Sequence, residues 1–442
     1  MKGAAKKRRA SIFFFEGYLG IQPSVVNFVI ELDARGYEID LFVRKPSMPV
    51  PPVTLPNHTR LFECPRTTRR LIDGARRILG RRRTAPAVAA APVEQAAAQQ
   101  SDAPRQRHWL GELDWLAEIL HFALFCRWHY RKSDLAVAFD ANGLAAMTIA
   151  VPRRVPFVYW SLELWLMSDC IDRVSRAIKR NEIRSLPRAA AVVIQAPDRA
   201  AYLTEGTGLS RDRIVLVPNG PIGPRSTDLP RDFFARRFGL ATGKKVVLHA
   251  GMLGDDVRSL ELAQSVPTWP EPFVLVFHER SPRDPAEPYL RRIAEEGGAR
   301  VYLSLDPVPF EEIEKVYAGA DIGVVSYAAL NVNSGTGASA SGKVAYYLRQ
   351  GMPILALTDV CPAVIEQYRC GVWVRSAGEI AAALSEIAAD WAGFSARASH
   401  CYDDHFDFHK AVDNLMATVA KSATGQRDIG IASDDAPERI PP

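Results

Sequence analysis

The feature that most constrains the fold is a regular alternation of short apolar runs with stretches of helical periodicity. Residues 10–15 form the first apolar run, and residues 23–35 then place apolar side chains at helical spacing before a second run at 39–43. This order predicts a parallel βαβ unit. Further short apolar runs occur at 135–139, 157–159, 191–194, 214–217, 245–249, 273–277, 300–303, 322–325, 354–357 and 371–374. The chain is therefore predicted to be an α/β protein.

A proline-rich connection over residues 221–230 divides the 442-residue chain into two halves of this kind. We predict two doubly wound, Rossmann-like domains that face a central cleft, the first over 10–222 and the second over 223–400. A helix over 401–423 is predicted to cross back to the first domain, and the polar residues 424–442 are predicted to form a disordered tail. Ligands of such sheets bind beyond the carboxyl ends of the strands, so the cleft is the predicted site.

The excess positive charge lies in two segments of the first half, residues 1–9 and 66–83. The net charge is +5, but residues 66–83 contain eight Arg and one Asp, so the remainder of the chain carries −2. Residues 84–106 are rich in Ala, Pro and Gln, and we predict a disordered insertion over 66–107. Such local basicity does not predict a nucleic-acid partner. Segment 66–83, assisted by an aromatic helix at 109–130, is predicted to lie on an anionic membrane; a solvated loop is the alternative.

Cysteine and histidine usage argues against a metal site. The six Cys include no CxxC pair, which excludes a zinc ribbon and predicts free thiols in a reducing cytoplasm. His405 and His409 have a spacing that can bind zinc, but no HExxH pattern accompanies them. No run of about 18 uncharged apolar residues occurs, so no membrane span is predicted. We expect a cytoplasmic protein without a bound metal, held peripherally at most on the inner membrane face.

The segment that best suggests chemistry is Ser341-Gly342-Lys343, which precedes the helical residues 344–350. A helix N-terminus presents free N–H groups and a positive dipole end. Gly342 allows a ligand to approach the backbone, and Lys343 adds a positive charge. Together these features suit a diphosphate group. An ordinary capped helix with a solvated Lys is the alternative.

The same segment, read through Gly351 and Pro353 to Ile354, resembles the donor-binding helix of GT-B glycosyltransferases, especially the retaining, nucleotide-sugar-dependent group 1 family. Segments 191–203, 214–220, 246–253 and 317–323 are similar to other conserved segments of that family and follow in the same order. The resemblance implies a GT-B fold with the acceptor in the first domain. It also implies that a UDP- or GDP-sugar binds the second domain as a substrate, with no tightly bound cofactor.

The resemblance implies a set of binding and catalytic residues by position. Those implied to bind the nucleotide sugar are Gly17, Gly20, Gly251, Ser341, Gly342 and Lys343. Gly17 and Gly20 would face the reacting sugar, although taken alone they are better explained by a plain βα turn. Lys343 would stabilise the charge that gathers on the leaving diphosphate.

The chain departs from the family pattern at several positions. Ala338 and Tyr346 stand where the family often has two Glu, the second of which holds the ribose hydroxyls. Met252 and Val257 stand where Arg and Lys are usual. Arg258, one residue after the usual Lys, is predicted to supply the missing cation, and a surface Arg is the alternative.

Other candidates follow strands of the first half. Glu163 lies among aromatic residues just after such a strand and is predicted to bind sugar hydroxyls or act as a base. The alternative is an aromatic corner in which Glu163 caps a helix. Asp140 and Asn142 also follow a strand and are predicted either to face the cleft or to form a turn. Glu182 is predicted to lie on a solvated helix face.

The resemblance implies a glycosyltransferase, hexosyl or related and retaining. It would transfer a sugar to a hydroxyl acceptor such as a sugar, a lipid-linked glycan or a small molecule, in polysaccharide or glycoconjugate biosynthesis. One alternative is a non-catalytic binding or scaffold protein with the same fold. Another is a sugar-nucleotide epimerase, which would need two carboxylates and a His around one sugar carbon.

Overall fold

The computed structural model describes residues 7–66, 109–225 and 228–424. The predicted insertion over 66–107 lies outside the described residues, apart from residue 66. The predicted tail also lies outside them from residue 425. In the described part of the chain, no helix combines the length and the apolar character needed to cross a bilayer.

The first domain is built on a parallel sheet covered by helices on both faces. Its strands are β1 (Arg8–Phe14), β2 (Tyr37–Arg44), β3 (Thr59–Cys64), β4 (Leu135–Phe139), β5 (Phe157–Trp160), β6 (Ala191–Ile194) and β7 (Ile214–Leu216). Their order in the sheet is β3-β2-β1-β4-β5-β6-β7. The helices are α1 (Pro23–Ala34), α2 (Trp109–His129), α3 (Asp140–Ala150), α4 (Arg173–Ser185) and α5 (Pro197–Thr207). All five residues of β4 are buried, as expected for a parallel strand with both faces covered.

The second domain repeats this architecture. Its strands are β8 (Lys245–Ala250), β9 (Phe273–His278), β10 (Val301–Ser304), β11 (Ile322–Tyr327), β12 (Ile354–Thr358) and β13 (Gly371–Val374), in the parallel order β10-β9-β8-β11-β12-β13. Its helices are α6 (Phe233–Phe238), α7 (Ser259–Ser265), α8 (Pro288–Gly297), α9 (Ile313–Ala318), α10 (Val332–Gly335), α11 (Gly337–Ala340), α12 (Gly342–Arg349), α13 (Ala363–Tyr368), α14 (Ile380–Ala389) and α15 (Trp391–His405). The α/β class and the two doubly wound domains predicted from the apolar runs are therefore confirmed.

The C-terminal region is divided between the two domains. The helix expected over 401–423 is interrupted after His405. The part before the break belongs to α15, which packs in the core of the second domain through Ala398, Cys401 and Tyr402. A separate helix, α16 (Phe408–Thr424), packs in the core of the first domain. Phe408 is fully buried there, with its ring 6.3 Å from that of Trp160. The chain thus returns to the domain in which it began.

The connection after β7 links the first domain to the start of α12. The Asn219 amide donates to the carbonyl oxygen of Ala340 at 2.7 Å, and its oxygen accepts from the Ser24 hydroxyl at 2.5 Å. Asn27 donates to the carbonyl oxygen of Gly220 at 2.6 Å. These contacts hold the N-termini of α1 and α12 on either side of the connection.

Candidate functional site

A cavity of about 1030 Å³ lies between the two sheets, at the carboxyl ends of their strands. Residues of both domains line it, including Glu16, Asp140 and Glu163 from the first and Gly251 and Lys343 from the second. Its volume suits a ligand of the size of a small molecule or cofactor. The cavity therefore occupies the position predicted for the site.

The N-terminus of α12 faces this cavity. Ser341, Gly342 and Lys343 all line it, and Ser341 is the residue that precedes the first helical residue. The first N–H groups of a helix have no partner within it, so those of Gly342 and Lys343 are available to an anion. The N–H of Val344 donates to the carbonyl oxygen of Ser341 at 3.1 Å. A Cβ atom at Gly342 would have its nearest neighbour at 3.7 Å, in Asn219, so the backbone is open on that side.

Gly251 follows β8 and lies directly beside Lys343. It adopts φ +115°, a conformation that disfavours other residues, and a Cβ atom built on it would lie 3.8 Å from Lys343 Nζ. Lys343 Nζ also lies 5.1 Å from the ring centroid of Tyr327. The ammonium group is thus positioned between a glycine loop and a helix N-terminus, which suits a bound diphosphate.

Arg258 does not line the cavity, although we expected it to supply the missing cation. Its guanidinium donates to Glu261 at 2.7 and 2.8 Å and to the carbonyl oxygen of Arg375 at 3.1 Å. Arg280 lines the cavity instead, and its Nη2 lies 3.8 Å from Met252 Sδ. Arg280 thus touches the residue that stands where the family usually has Arg. Sequence reasoning missed it; the available signal was its place just after the apolar run of β9.

Of the two glycines expected to face the sugar, only Gly20 lines the cavity. Gly17 adopts φ +77°, and a Cβ atom on it would lie 1.8 Å from the carbonyl oxygen of Arg44. A Cβ atom on Gly20 would lie 2.0 Å from the carbonyl oxygen of Pro51. Both glycines therefore permit close backbone packing of this turn against the chain that follows β2.

Glu163 lies on the cavity wall, next to Asp140. The Asp140 Oδ1 atom accepts the N–H groups of Leu162 at 2.7 Å and Glu163 at 2.9 Å. Asp140 itself begins α3 at φ +56°, a conformation that Asp and Asn tolerate better than most residues. The Glu163 carboxylate accepts from Asn333 Nδ2 of the second domain at 2.5 Å. Asp140 therefore positions the backbone that carries Glu163.

Glu16 adds a third carboxyl group, which sequence reasoning did not select. Glu16, Asp140 and Glu163 follow β1, β4 and β5, which are neighbours in the sheet. Asn142 donates to Glu16 Oε1 at 3.1 Å. Burial raises the pKa of Glu16 and raises that of Asp140 well above its usual value, and the nearby Glu16 and Glu163 carboxyls add to the rise at Asp140. A charged residue directly after an apolar run was the signal for Glu16.

Glu182 is buried, so the prediction of a solvated helix face was wrong. Only 3% of Glu182 and 3% of Lys179 is exposed, and their side chains are paired at 2.7 Å. The Tyr159 hydroxyl donates to the other oxygen of Glu182 at 2.8 Å. All three residues line the cavity. This face of α4 therefore points toward the protein interior. The buried side chains are tolerated there because they satisfy one another.

Tyr346, which replaces one of the expected Glu residues, is a buried cavity-lining residue. Its ring stacks on that of Tyr317, with centroids 4.7 Å apart and an angle of 11° between the planes. Ala338, at the other position, is also buried. The wall therefore presents aromatic surface at a position where a carboxylate was expected.

A family model describes the first domain. Residues 20–220 match the model of the glycosyl transferase 4-like domain. No curated protein matches the sequence of the chain. The match covers the first domain from the turn after β1 to the connection after β7.

Solved structures resemble the whole chain. Sucrose-phosphate synthase from Thermosynechococcus elongatus has a TM-score of 0.65 at 14% identity, with 95% of this chain and 100% of that one covered. HepE of Anabaena in complex with UDP-glucose has a TM-score of 0.60 at 13% identity, covering 93% and 99%. A putative UDP-N-acetylglucosamine 2-epimerase from Listeria monocytogenes has a TM-score of 0.53 at 12% identity, covering 96% and 98%.

At these identities the structural likeness establishes the fold, while the family match concerns the first domain. Both agree with the resemblance that the sequence segments suggested, and together they support glycosyl transfer in general terms. Residues 20–220 match the glycosyl transferase 4-like domain, and the chain as a whole has a GT-B fold.

Proposed function

We propose that this protein transfers a sugar from a nucleoside-diphosphate sugar to a hydroxyl acceptor. The observation that carries the proposal is the arrangement of Lys343 and the N-terminus of α12 on one wall of the cavity, with Glu163 on another. The structure of HepE in complex with UDP-glucose supports a UDP-sugar as donor, with a GDP-sugar as the alternative. A hexosyl group is the proposed cargo.

The donor diphosphate is proposed to bind at Gly251, Ser341, Gly342 and Lys343. Negative charge grows on the leaving diphosphate during transfer, and preorganised donors there lower the barrier. Arg280 takes the part that we expected of Arg258, because it lines the cavity whereas Arg258 is held by Glu261. Gly20 is proposed to face the reacting sugar, and Gly17 to support that turn from behind.

The acceptor is proposed to bind on the first-domain wall, where Glu163 contacts its hydroxyl groups. Retention of configuration, which the family resemblance implies, needs no protein base, because the departing phosphate oxygen can take the acceptor proton. Inversion would require a carboxylate such as Glu163 to take that proton. The anomeric configuration of the first product, observed by NMR during turnover, distinguishes the two outcomes.

Thermal unfolding with UDP, GDP, ADP and TDP, each without and with Mg²⁺, tests the donor site. A ligand at 100 times its Kd stabilises the folded state by about 2.7 kcal/mol, which gives a clear shift. We expect one nucleotide to raise the melting temperature and Lys343→Ala to abolish that rise. Lys410→Ala, an exposed position on α16, is the control and should respond like the wild type. If no nucleotide shifts the transition, the proposed donor site is wrong.

A non-catalytic nucleotide-binding protein is the second candidate, and the stacked pair Tyr346–Tyr317 favours it. Those rings cannot accept the ribose hydroxyls as a carboxylate would. A protein that binds a nucleotide but neither hydrolyses nor transfers any of a panel of UDP- and GDP-sugars would support this candidate. Conversion of the sugar nucleotide to its epimer in the same assay would support an epimerase.

The acceptor is proposed to be a glycan or lipid-linked glycan in polysaccharide or glycoconjugate biosynthesis at the cytoplasmic face of a membrane. Helix α2 supports attachment to an anionic surface, because its outer side exposes Leu116, Leu120, Leu124 and Trp128 at intervals of four residues. Trp128 is 85% exposed, with the exposed Arg127, Arg131 and Lys132 nearby in the chain. Such a face suits the interface of an anionic bilayer.

Sedimentation with vesicles that contain anionic lipid tests this attachment. We expect the wild type to bind and the double variant Leu124→Ser, Trp128→Ser to bind less. Deletion of residues 66–107 measures the contribution of the basic segment, which lies almost wholly outside the described residues. Equal binding by all three proteins, or no binding by the wild type, would contradict the proposal.

A further inference from the structure

The two walls of the cavity differ in charge. The charged residues of the described first domain that line it are four carboxyl groups, Glu16, Asp140, Glu163 and Glu182, and two cations, Lys179 and Arg199. The second-domain wall carries the cations Lys343 and Arg280 and only two carboxyl groups, Asp256 and Glu279, and no ion pair among the described residues holds either cation. The cations available to a ligand are therefore on the donor side.

Both cations of the first-domain wall already have partners. Lys179 is paired with Glu182 at 2.7 Å in a nearly inaccessible position. Arg199 is 1% exposed and donates to the carbonyl oxygen of Leu162 at 2.9 Å, to Asn333 Oδ1 at 3.0 Å and to Thr336 Oγ1 at 3.3 Å. A phosphate placed on this wall would meet carboxyl groups without a free cation to balance its charge.

A hydroxyl group suits the same wall whatever the protonation state of the carboxyls. It donates a hydrogen bond to an ionised carboxylate and accepts one from a protonated carboxyl. Burial raises the pKa of Glu16 and of Asp140, which favours the protonated form of each carboxyl. A phosphate dianion would be repelled by the ionised groups and would lose its hydration without compensation. Trp115 and Trp165 add apolar surface for a sugar ring.

We infer that the acceptor subsite takes a neutral, polyhydroxylated sugar or glycoside and discriminates against phosphorylated sugars. This inference rests on the proposed function, in that it assigns the acceptor to the first-domain wall. The specificity arises from charge: the cations free of an ion pair lie with the donor diphosphate, whereas on the acceptor wall Lys179 is paired with Glu182 and Arg199 is held by three hydrogen bonds. Glu182 contributes by cancelling Lys179, and Glu163 contributes at the accessible end.

Binding of matched pairs of sugars to the full-length protein tests the inference. The probes are glucose, galactose, mannose, N-acetylglucosamine and octyl glucoside, with the 1- and 6-phosphates of the four free sugars, observed by ligand-detected NMR without and with saturating UDP. We expect at least one neutral probe to bind and its phosphates to bind at least tenfold more weakly. A phosphate that binds as tightly as its parent sugar, or a panel in which no neutral probe binds, would overturn the inference.

Charge variants separate electrostatic discrimination from shape. Glu163→Gln removes a negative charge from an exposed position, and we expect the affinity for a sugar phosphate, relative to its parent sugar, to rise several-fold. Glu182→Gln should raise it further by freeing Lys179, whereas Tyr159→Phe, which removes a bond to Glu182 but no charge, should leave the ratio unchanged. An unchanged ratio in Glu163→Gln would contradict the charge argument even if Glu182→Gln failed to fold. Because the sugar comparison is also made without UDP, a failed donor site and a failed acceptor assignment give different results.

Discussion

Arg199 of the first domain lies 3.0 Å, measured from Nη2, from Oδ1 of Asn333 in the second domain. The same Asn333 oxygen accepts the N–H of Leu164 at 3.0 Å, and its amide donates to Glu163 at 2.5 Å. One side chain thus joins a buried guanidinium, a strand-end backbone and a candidate catalytic carboxylate. Because α10 and α11 lead directly into α12, we expect this contact to couple closure of the cleft to the proposed donor site.

Asn333→Ala is expected to shift the protein toward an open arrangement of the two domains. The apparent affinity for a ligand falls in proportion to the fraction of molecules that are closed, so a tenfold loss of closed molecules raises KM about tenfold. Steady-state kinetics and small-angle scattering measure the two effects. Ser385→Ala, which loses one exposed hydrogen bond within α14 at 3.0 Å, is the control. Identical KM and radius of gyration in both variants would exclude this role of Asn333.

Arg280→Met is expected to weaken UDP binding, whereas Arg258→Met is not. A cation that contacts a diphosphate in a partly desolvated site contributes about 1.5–3 kcal/mol, or roughly ten- to a hundredfold in Kd. Arg258 is held instead by Glu261 and the carbonyl of Arg375, so its loss should lower the melting temperature and leave Kd near the wild-type value. Isothermal titration with UDP measures the Kd of each variant, and thermal unfolding measures the melting temperature. A larger loss of affinity in Arg258→Met would reverse the assignment.

Asp140→Asn is expected to retain the fold and most of the activity, while Asp140→Ala is not. Asn tolerates the positive φ of this position, keeps the oxygen that accepts two N–H groups, and imitates a protonated carboxyl. Ala leaves those N–H groups without an acceptor, at a cost of about 1–3 kcal/mol each, and frees the loop that carries Glu163. Thermal unfolding and initial rates test the pair. If Asp140→Asn lost as much activity as Asp140→Ala while keeping the stability of the wild type, Asp140 would act as a base and not as a positioning residue.

His249 is expected to make the protein less stable as the pH falls below about 6.5. Its ring is fully buried, neither nitrogen has a hydrogen-bond partner among the described residues, and burial lowers its pKa well below the usual value. Below pH 6.5 the unfolded chain therefore binds a proton that the folded chain does not, which costs about 1.4 kcal/mol per pH unit. Denaturant titrations at pH 7.5, 6.5 and 5.5 measure this slope. His249→Leu should remove the contribution of His249 to this change of the free energy of unfolding with pH. The same pH dependence in the variant as in the wild type would disprove the effect.

The sequence alone determined the architecture and the helix N-terminus at Gly342, because both depend on patterns within short stretches of chain. The wholly apolar runs of β4 and β12 indicated strands covered on both faces, and their alternation with helices allowed little other than parallel sheets. The small residues before Lys343 indicated an open helix N-terminus for the same local reason. None of these conclusions required knowledge of distant contacts.

The tertiary structure decided which charged side chains face the cavity. The sequence pointed to Arg258 and not to Arg280, and only the packing around Glu261 and Met252 shows which of the two faces the cavity. Glu182 looked solvated because its partner Tyr159 lies on another element, and Asn333 gave no signal because Arg199 is 134 residues away. A charged residue is stable in the interior only when a partner is brought to it, and the partner is chosen by the fold and not by the neighbouring sequence.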